Sequence, residues 1–371
     1  MSAGQTDNPR IEFRYRLERG GFVLDVEGWT AGTGVTGVFG TSGAGKTSLL
    51  RSIAGLERPA EARFAIGADT WDDSARGIRR ATHRREIAYV FQEPRLFPHL
   101  DVRRNLEYGQ RRARSAGAVD FSGVVRLLGL EALLGRAPAG LSGGEAQRVA
   151  IGRALLSAPR LILMDEPMTS LDRARRGEVL PFLERLHDEL RIPAIYVSHD
   201  IDEVCALCDR LLVLENGRLI ATGPLQDVLQ RTDLPPLGGD EAGVVLAALV
   251  SAHDPGDGLC RLECAGGRLF VPGPIEPGSR VRVRIRASDV SICRELPRQS
   301  SVLNHLPARV RRIEDDALPS AALVHLEAGS DAIVARITRR SVRELHLAPG
   351  DRVYAQVKSV SVRRPGGRVV K

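Results

Sequence analysis

Aromatic residues make up only 4% of the 371 residues, cysteines number five, and no apolar run approaches the length of a membrane-spanning helix. Each scarcity excludes something. A helix needs about 20 consecutive apolar residues to cross a bilayer, so any membrane contact has to come through a partner. The opening residues, MSAGQTDNPR, lack the apolar core of a signal peptide, and a cytoplasmic protein is expected. Cys205 and Cys208 form C-x-x-C within an expected helix, and Cys260 and Cys264 lie in a strand-like stretch. No second C-x-x-C or paired His accompanies them, so zinc is not expected, and buried thiols in a reducing compartment are. The formal net charge is +7, carried by scattered Arg. A nucleic-acid interface would want a basic stripe interleaved with aromatics. A solvated Arg-rich surface, or one near anionic ligands, fits better.

Hydrophobic residues at 43% and charged residues at 27% are those of a globular protein, and the length implies two or three domains. The strongest motif is Gly40–Thr47, GTSGAGKT, which fits G-x-x-x-x-G-K-[ST]. The apolar run Val35–Phe39 before it reads as a buried strand, and Ser48–Ala54 after it as a helix. Gly40, Gly43 and Gly45 let the chain bend so that successive N–H groups, including those of Thr41, Ser42, Ala44 and Ser48, converge on one anion. The helix N-terminus adds its positive end. Lys46 is expected to reach the β- and γ-phosphates of ATP, and Thr47 to ligate Mg²⁺. Upstream, Ile11–Val26 reads as two strands around Arg19-Gly20-Gly21, with Phe22 either facing the adenine or packed in the core.

Three more apolar runs end in polar residues. Ile87–Phe91 ends at Gln92, whose amide could touch Mg²⁺ or the attacking water. Leu161–Met164 ends at Asp165, placed to hold Mg²⁺ through water, and at Glu166, placed as general base. Ala194–Val197 is followed by His199, which could contact the γ-phosphate and orient Glu166. Ligands gather at such strand ends in open parallel sheets. Between them, Phe97–Leu134 reads as largely helical. Leu141–Glu145 is LSGGE ahead of a strongly helical stretch, and Ser142, Gly143 and Gly144 form a second helix end suited to an anion. One nucleotide and two such ends suggest that the second serves another subunit.

These motifs, in this order, resemble the nucleotide-binding subunit of ABC transporters, over roughly Ile11–Leu234. The resemblance implies an α/β P-loop ABC ATPase domain at 1–235, with a helical subdomain at about 93–158. It also implies a head-to-tail homodimer in which each ATP and Mg²⁺ lie between Gly40–Thr47, Gln92, Asp165, Glu166 and His199 of one subunit and Ser142–Gly144 of the other. Within the family, FGTSGAGKTSL, YVFQEPRLFPHLDVRRNLEYG and YVSHDIDEV look like the subunits of molybdate importers. That implies integral-membrane permease subunits, an extracytoplasmic molybdate-binding protein, and a place on the cytoplasmic face of the inner membrane. An importer ATPase for sulfate, tungstate or sugar shares every catalytic residue. A cytosolic molybdate sensor or store with an ATPase domain is a rival of another class.

Beyond Pro235-Pro236 the pattern changes to short alternating strands, as in an all-β OB-like barrel at 236–371. It contains an internal repeat. PGSRVRVRIRASDV from Pro277 parallels PGDRVYAQVKSVSV from Pro349, an offset of 72, and LECAGG from Leu262 parallels LEAGSD from Leu326, an offset of 64. The TRRSVREL segment around Ser341 is the expected insertion. The second copy, about 299–364, resembles the molybdate-binding barrel (Mop or TOBE-like) of molybdate-responsive proteins. That resemblance places an oxyanion site for molybdate or tungstate at Ser301, Asn304, Lys358 and Ser359. Leu303 departs from it, standing where the family often has Arg, so a barrel kept for subunit contact is the alternative.

Overall fold

The computed structural model describes residues 10–113, 119–169, 171–189, 192–229, 231, 234–237, 242–297, 299–316, 318–358 and 360–363. The chain divides between Gly223 and Pro224 into two compact units, shortly before the Pro235-Pro236 pair at which the composition changes.

The first unit is built on an eleven-stranded sheet. Strands β1 (Ile11–Arg19) and β2 (Phe22–Thr30) pair antiparallel in a hairpin turned by Gly20 and Gly21, both at positive φ. Two successive left-handed residues match the twist of a two-residue hairpin, which is why glycine stands at both. β1 buries alternate residues, Ile11, Phe13, Tyr15 and Leu17. β3 (Val35–Phe39) is buried throughout and leads into α1 (Lys46–Ala54). β4 (Glu61–Ile66), β5 (Asp69–Asp73) and β6 (Ile78–Arg79) extend the antiparallel side, and β7 (Ile87–Val90) begins the parallel side. The helices α2 (Val102–Gln110), α3 (Phe121–Leu127) and α4 (Gly143–Leu156) follow. Among its described residues, Phe97–Leu134 is thus less helical than expected. Asp101 and Asp120 cap α2 and α3 by accepting backbone N–H bonds, and both helices are short.

Then come β8 (Leu161–Asp165), α5 (Arg173–Glu189), β9 (Ala194–Val197), α6 (Ile201–Leu207), β10 (Arg210–Glu215) and β11 (Arg218–Pro224). Asn216 and Gly217, at φ 47° and 77°, turn the last two strands into a hairpin. The sheet runs β6-β5-β4-β1-β2-β11-β10-β3-β9-β8-β7. Its β10-β3-β9-β8-β7 part is parallel, and those strands are near-continuous apolar runs because both faces are covered.

One charged cluster is sealed inside this unit. Arg85, with a side chain only 1% exposed, donates to Asp72 at 2.6 Å, to the carbonyls of Ile53 and Ser52 at 2.7 and 3.4 Å, and to that of Arg80 at 3.0 Å. Tyr15 donates to the other Asp72 oxygen at 3.1 Å. Burial, then the Asp72 charge, raises the Tyr15 pKa and keeps it a donor. Arg85 thereby places a cation at the C-terminal end of α1, where the helix dipole favours one.

The second unit opens with α7 (Leu225–Leu229) and continues as an all-β barrel. Its strands are β12 (Gly243–Asp254), β13 (Leu259–Cys264), β14 (Gly267–Pro272), β15 (Arg280–Arg286) and β16 (Val290–Cys293). They are followed by β17 (Asn304–Asp315), β18 (Ala321–Ala328), β19 (Asp331–Thr338), β20 (Arg352–Val357) and β21 (Ser361–Arg363). The sheets run β14-β13-β12-β15-β21 and β16-β20-β17-β18-β19 over one shared apolar core. The repeat is therefore physical: five strands, then five strands. Each copy gives its fifth strand to the other copy's sheet, β16 pairing with β20 and β21 with β15. Both copies carry a bulge in the first strand, between Val250 and Ala252 and between Val310 and Arg312. The helix α8 (Arg339–Glu344), capped by Thr338, occupies the segment that changes the repeat offset from 64 to 72.

Candidate active site

The loop after β3 is shaped by backbone proximity. A Cβ at Gly40 would run into the Leu214 carbonyl, and one at Gly45 would lie 2.8–2.9 Å from Leu24 and Phe22. Gly45 is also the N-cap of α1, at φ 100°, a conformation costly to any residue with a Cβ. Phe22, left open between adenine and core, packs its half-buried ring against this glycine. Lys46 is buried, and its Nζ donates to the carbonyls of Gly40 at 2.8 Å and Thr41 at 3.0 Å. Burial lowers its pKa, while the charges of Glu166 and Asp165 act to raise it.

Strand register brings the other candidates to the same edge. Val38 pairs with Val197, Val197 with Asp165, and Val90 with Met164. The residues that follow these strands therefore emerge together beside the loop. Asp165 is buried at the tip of β8. One of its oxygens accepts from Thr47 Oγ1 at 2.9 Å and the other from the Tyr89 hydroxyl at 2.8 Å. Burial raises its pKa, and these two bonds oppose the rise. Glu166 has φ 46°, rare for a residue with a side chain. Its N–H donates to Val197 O at 3.0 Å, and its carboxylate accepts from Thr169 at 3.0 Å and lies 3.2 Å from His199 Nδ1. Glu166 and His199, from adjacent strands, thus form one polar unit.

Gln92 stands exposed just past β7, on a loop fastened to α4. Gln147 Nε2 donates to Phe91 O at 3.3 Å, and Arg153 donates to the carbonyls of Pro94 and Arg95 at 3.2 and 2.9 Å. Ser142 caps α4 reciprocally with Glu145: the Ser142 hydroxyl accepts from the Glu145 N–H, and the Glu145 carboxylate from the Ser142 N–H. Gly143 and Gly144 begin the helix, without side chains. Among the described residues, no hydrogen bond joins 142–144 to the loop at 40–47 of the same chain.

Sequence reasoning missed Tyr89, Gln147 and Arg153. The signal for Tyr89 was a single hydroxyl in an otherwise apolar strand. For Gln147 and Arg153 there was none, because a polar residue on a helix reads as solvated until its neighbour is known.

In the second unit, β17 and β20 bring Asn304 opposite Val357, so Lys358 lies just beyond the pair. Ser301 and the Lys358 side chain are exposed. Asn304 is buried, and its amide accepts from Phe270 N–H at 2.6 Å and donates to Phe270 O at 3.1 Å. Ser359 lies outside the described residues. Leu303 is 57% exposed.

For a nucleotide and its cation, the first unit has a fitting donor set. The loop is a glycine cradle at a helix N-terminus with a lysine folded over it. The Thr47 hydroxyl and the Asp165 carboxylate are hard oxygen donors, the type Mg²⁺ takes.

Comparison with known proteins agrees. The family model described as ABC transporter matches residues 30–169, and the TOBE domain model matches residues 300–363. The molybdenum import ATP-binding protein ModC 1 of Azotobacter vinelandii is 51% identical over 354 residues, 95% of this chain and 98% of that protein. The ModC protein of Thiobacillus denitrificans is 53% identical over 354 residues, 95% and 97% of the two chains. That of Pseudomonas aeruginosa is 49% identical over 356 residues, 95% and 99%. With half its residues shared along nearly its whole length, the chain belongs to the ATP-binding proteins of ABC transporters, in the molybdenum import branch that these relatives represent.

Proposed function

We propose that this ABC-type ATPase subunit powers the import of molybdate. The observation that carries the chemistry is the convergence of Lys46, Thr47, Asp165, Glu166 and His199 at one sheet edge. In this reading Gly40–Ser48 and Lys46 hold the phosphates of ATP, Thr47 and Asp165 hold Mg²⁺, and Gln92 borders that site. The cation, when bound, neutralises charge on the phosphates. Glu166 accepts the proton of the attacking water. His199, together with Thr169, holds the Glu166 carboxylate in place. The capped α4 end at Ser142–Gly144 serves the nucleotide of a second copy in a head-to-tail homodimer.

The dimer docks on permease subunits at the cytoplasmic face of the inner membrane, and an extracytoplasmic binding protein supplies the oxyanion. The ATPase domain takes in 1–235, with a helical subdomain at about 93–158. The barrel at 236–371 is regulatory, with Ser301, Asn304, Lys358 and Ser359 bordering a molybdate or tungstate site. Since its amide is engaged by Phe270, Asn304 would shape that site more than ligate the ion.

The decisive test is Glu166→Gln, which keeps the shape and the Thr169 contact but removes the base. Hydrolysis by the reconstituted transporter should fall about 10²–10⁴-fold, while Mg-ATP should hold the purified subunit as a dimer on size exclusion. Normal turnover, or a mutant that binds ATP and stays monomeric, would refute the assignment. Transport of molybdate, against sulfate as a competitor, tests the substrate separately.

A further inference from the structure

The Asp165 carboxylate is gripped from two sides. Thr47, on the first turn of α1, takes one oxygen, and Tyr89, on β7, takes the other. The second contact follows from register. Tyr89 pairs with Leu163 across parallel strands, and Asp165 lies two residues beyond Leu163, on the same face of β8. A long side chain leaning along the strand spans that step, and a phenol puts its O–H at 2.8 Å from the carboxylate. The Tyr89 ring is itself fixed, packed on Phe91 with 4.4 Å between centroids, and Arg95 covers the other ring at 4.4 Å. The Phe91 carbonyl accepts from Gln147 of α4. The phenol thus belongs to a held assembly.

We propose that Tyr89 is a positioning residue for the metal site: by occupying one Asp165 oxygen it fixes the carboxylate, so that the other oxygen stands with Thr47 Oγ1 as a preset pair of donors for the cation that accompanies ATP. This rests on the ATPase reading above and adds a residue to it. Tyr89 touches neither nucleotide nor reacting atoms in this scheme; it acts through Asp165. Hydrogen-bond partners of metal ligands are worth about 10–100-fold in metal affinity when removed, and for an exchangeable cation the lower end applies.

The test uses the purified full-length chain and two readouts that do not depend on turnover. A fluorescent ATP analogue measures nucleotide binding in EDTA, and MgCl₂ titration with ATP present gives the midpoint of the metal-dependent rise in melting temperature. Tyr89→Phe should bind nucleotide in EDTA within about twofold of wild type and need roughly tenfold more Mg²⁺ for the same response. Phe91→Leu, which loosens the ring packing but keeps the phenol, should shift the midpoint less than threefold. A Tyr89→Phe midpoint within twofold of wild type overturns the proposal. So does a variant whose metal-free binding falls as far as its metal response, because the phenol would then support the loop and not the aspartate. Equal shifts in both variants also overturn it. The ATPase reading has its own control: Lys46→Ala should lose nucleotide binding even in EDTA, and if it does not, that reading fails whatever Tyr89 does.

Discussion

Replacing Arg85 with Met keeps most of the side-chain volume and removes the charge from the buried cluster in the first unit. Asp72, 6% exposed, would be left with Tyr15 as its donor, and the carbonyls of Ile53 and Arg80 would each lose a short bond. Breaking a buried pair from one side costs about 3–5 kcal/mol, because an uncompensated charge stays behind. For a unit of this size each kcal/mol moves the melting temperature by about 2–4 °C, so a drop of roughly 6–20 °C is expected. Differential scanning calorimetry on the full chain would resolve it as a shift of the transition that responds to ATP. The double variant Arg85→Met with Asp72→Leu removes both charges and should recover a good part of the loss, since well-packed apolar replacements of buried pairs are often near neutral. A single variant that melts within about 2 °C of wild type would refute the reasoning. So would a double variant as unstable as the two single losses added together, for then the charge was never what Arg85 neutralised.

Asn304→Ala should strip both bonds from the Phe270 backbone and cost on the order of 2–6 kcal/mol, at 1–3 per group left unpaired. Urea denaturation should place the loss in the transition that does not respond to ATP. Asp69 accepts from Arg80, Trp71 and Arg160, and chiefly the Arg80 bonds hold its pKa down to about 2. A depressed carboxylate pKa stabilises the fold above the unfolded value near 3.8 and loses that contribution as pH falls towards the folded one. Asp69→Asn should therefore be less stable than wild type at neutral pH, with the gap narrowing from about pH 4 down to about pH 2. Equal gaps at pH 7 and pH 3 in urea titrations would contradict this.

The strand ends were legible because fully buried parallel strands are short apolar runs, and whatever polar residue stops such a run must sit at the sheet edge. That logic places Asp165, Glu166, His199 and Gln92 at this edge from the sequence, and the spacing of glycines marks the loop that carries Lys46 and Thr47. It could not find what holds them. Tyr89 and Asp165 are 76 positions apart, and Arg85 reaches Ile53 across 32; no local pattern encodes a bond over such distances. The hairpin at Gly20-Gly21 was also legible, though its second strand runs on to Thr30, because β1 pairs with it all the way back to Ile11. The duplication of the barrel showed in the repeated PG-R-V pattern. The exchange of fifth strands did not, because β16 and β21 have the same apolar alternation whichever sheet they join.

That exchange sets a timetable. When the ribosome has released Arg286, the strands β12 to β15 can already pair, but the free edge of β15 waits for a partner some 75 residues farther along. At 5–20 residues per second the wait is about 4–15 s, long enough for an open edge to recruit a strand from another nascent chain. The edge that waits is RVRVRIR, with Arg280, Arg282, Arg284 and Arg286 along one face, and charge is a standard deterrent to edge-to-edge pairing. The counterpart of β15 in the other copy, β20, faces no such delay at its edge, since β16 is made before it and stands ready. Four arginines on β15 and one, Arg352, on β20 match that difference in exposure time.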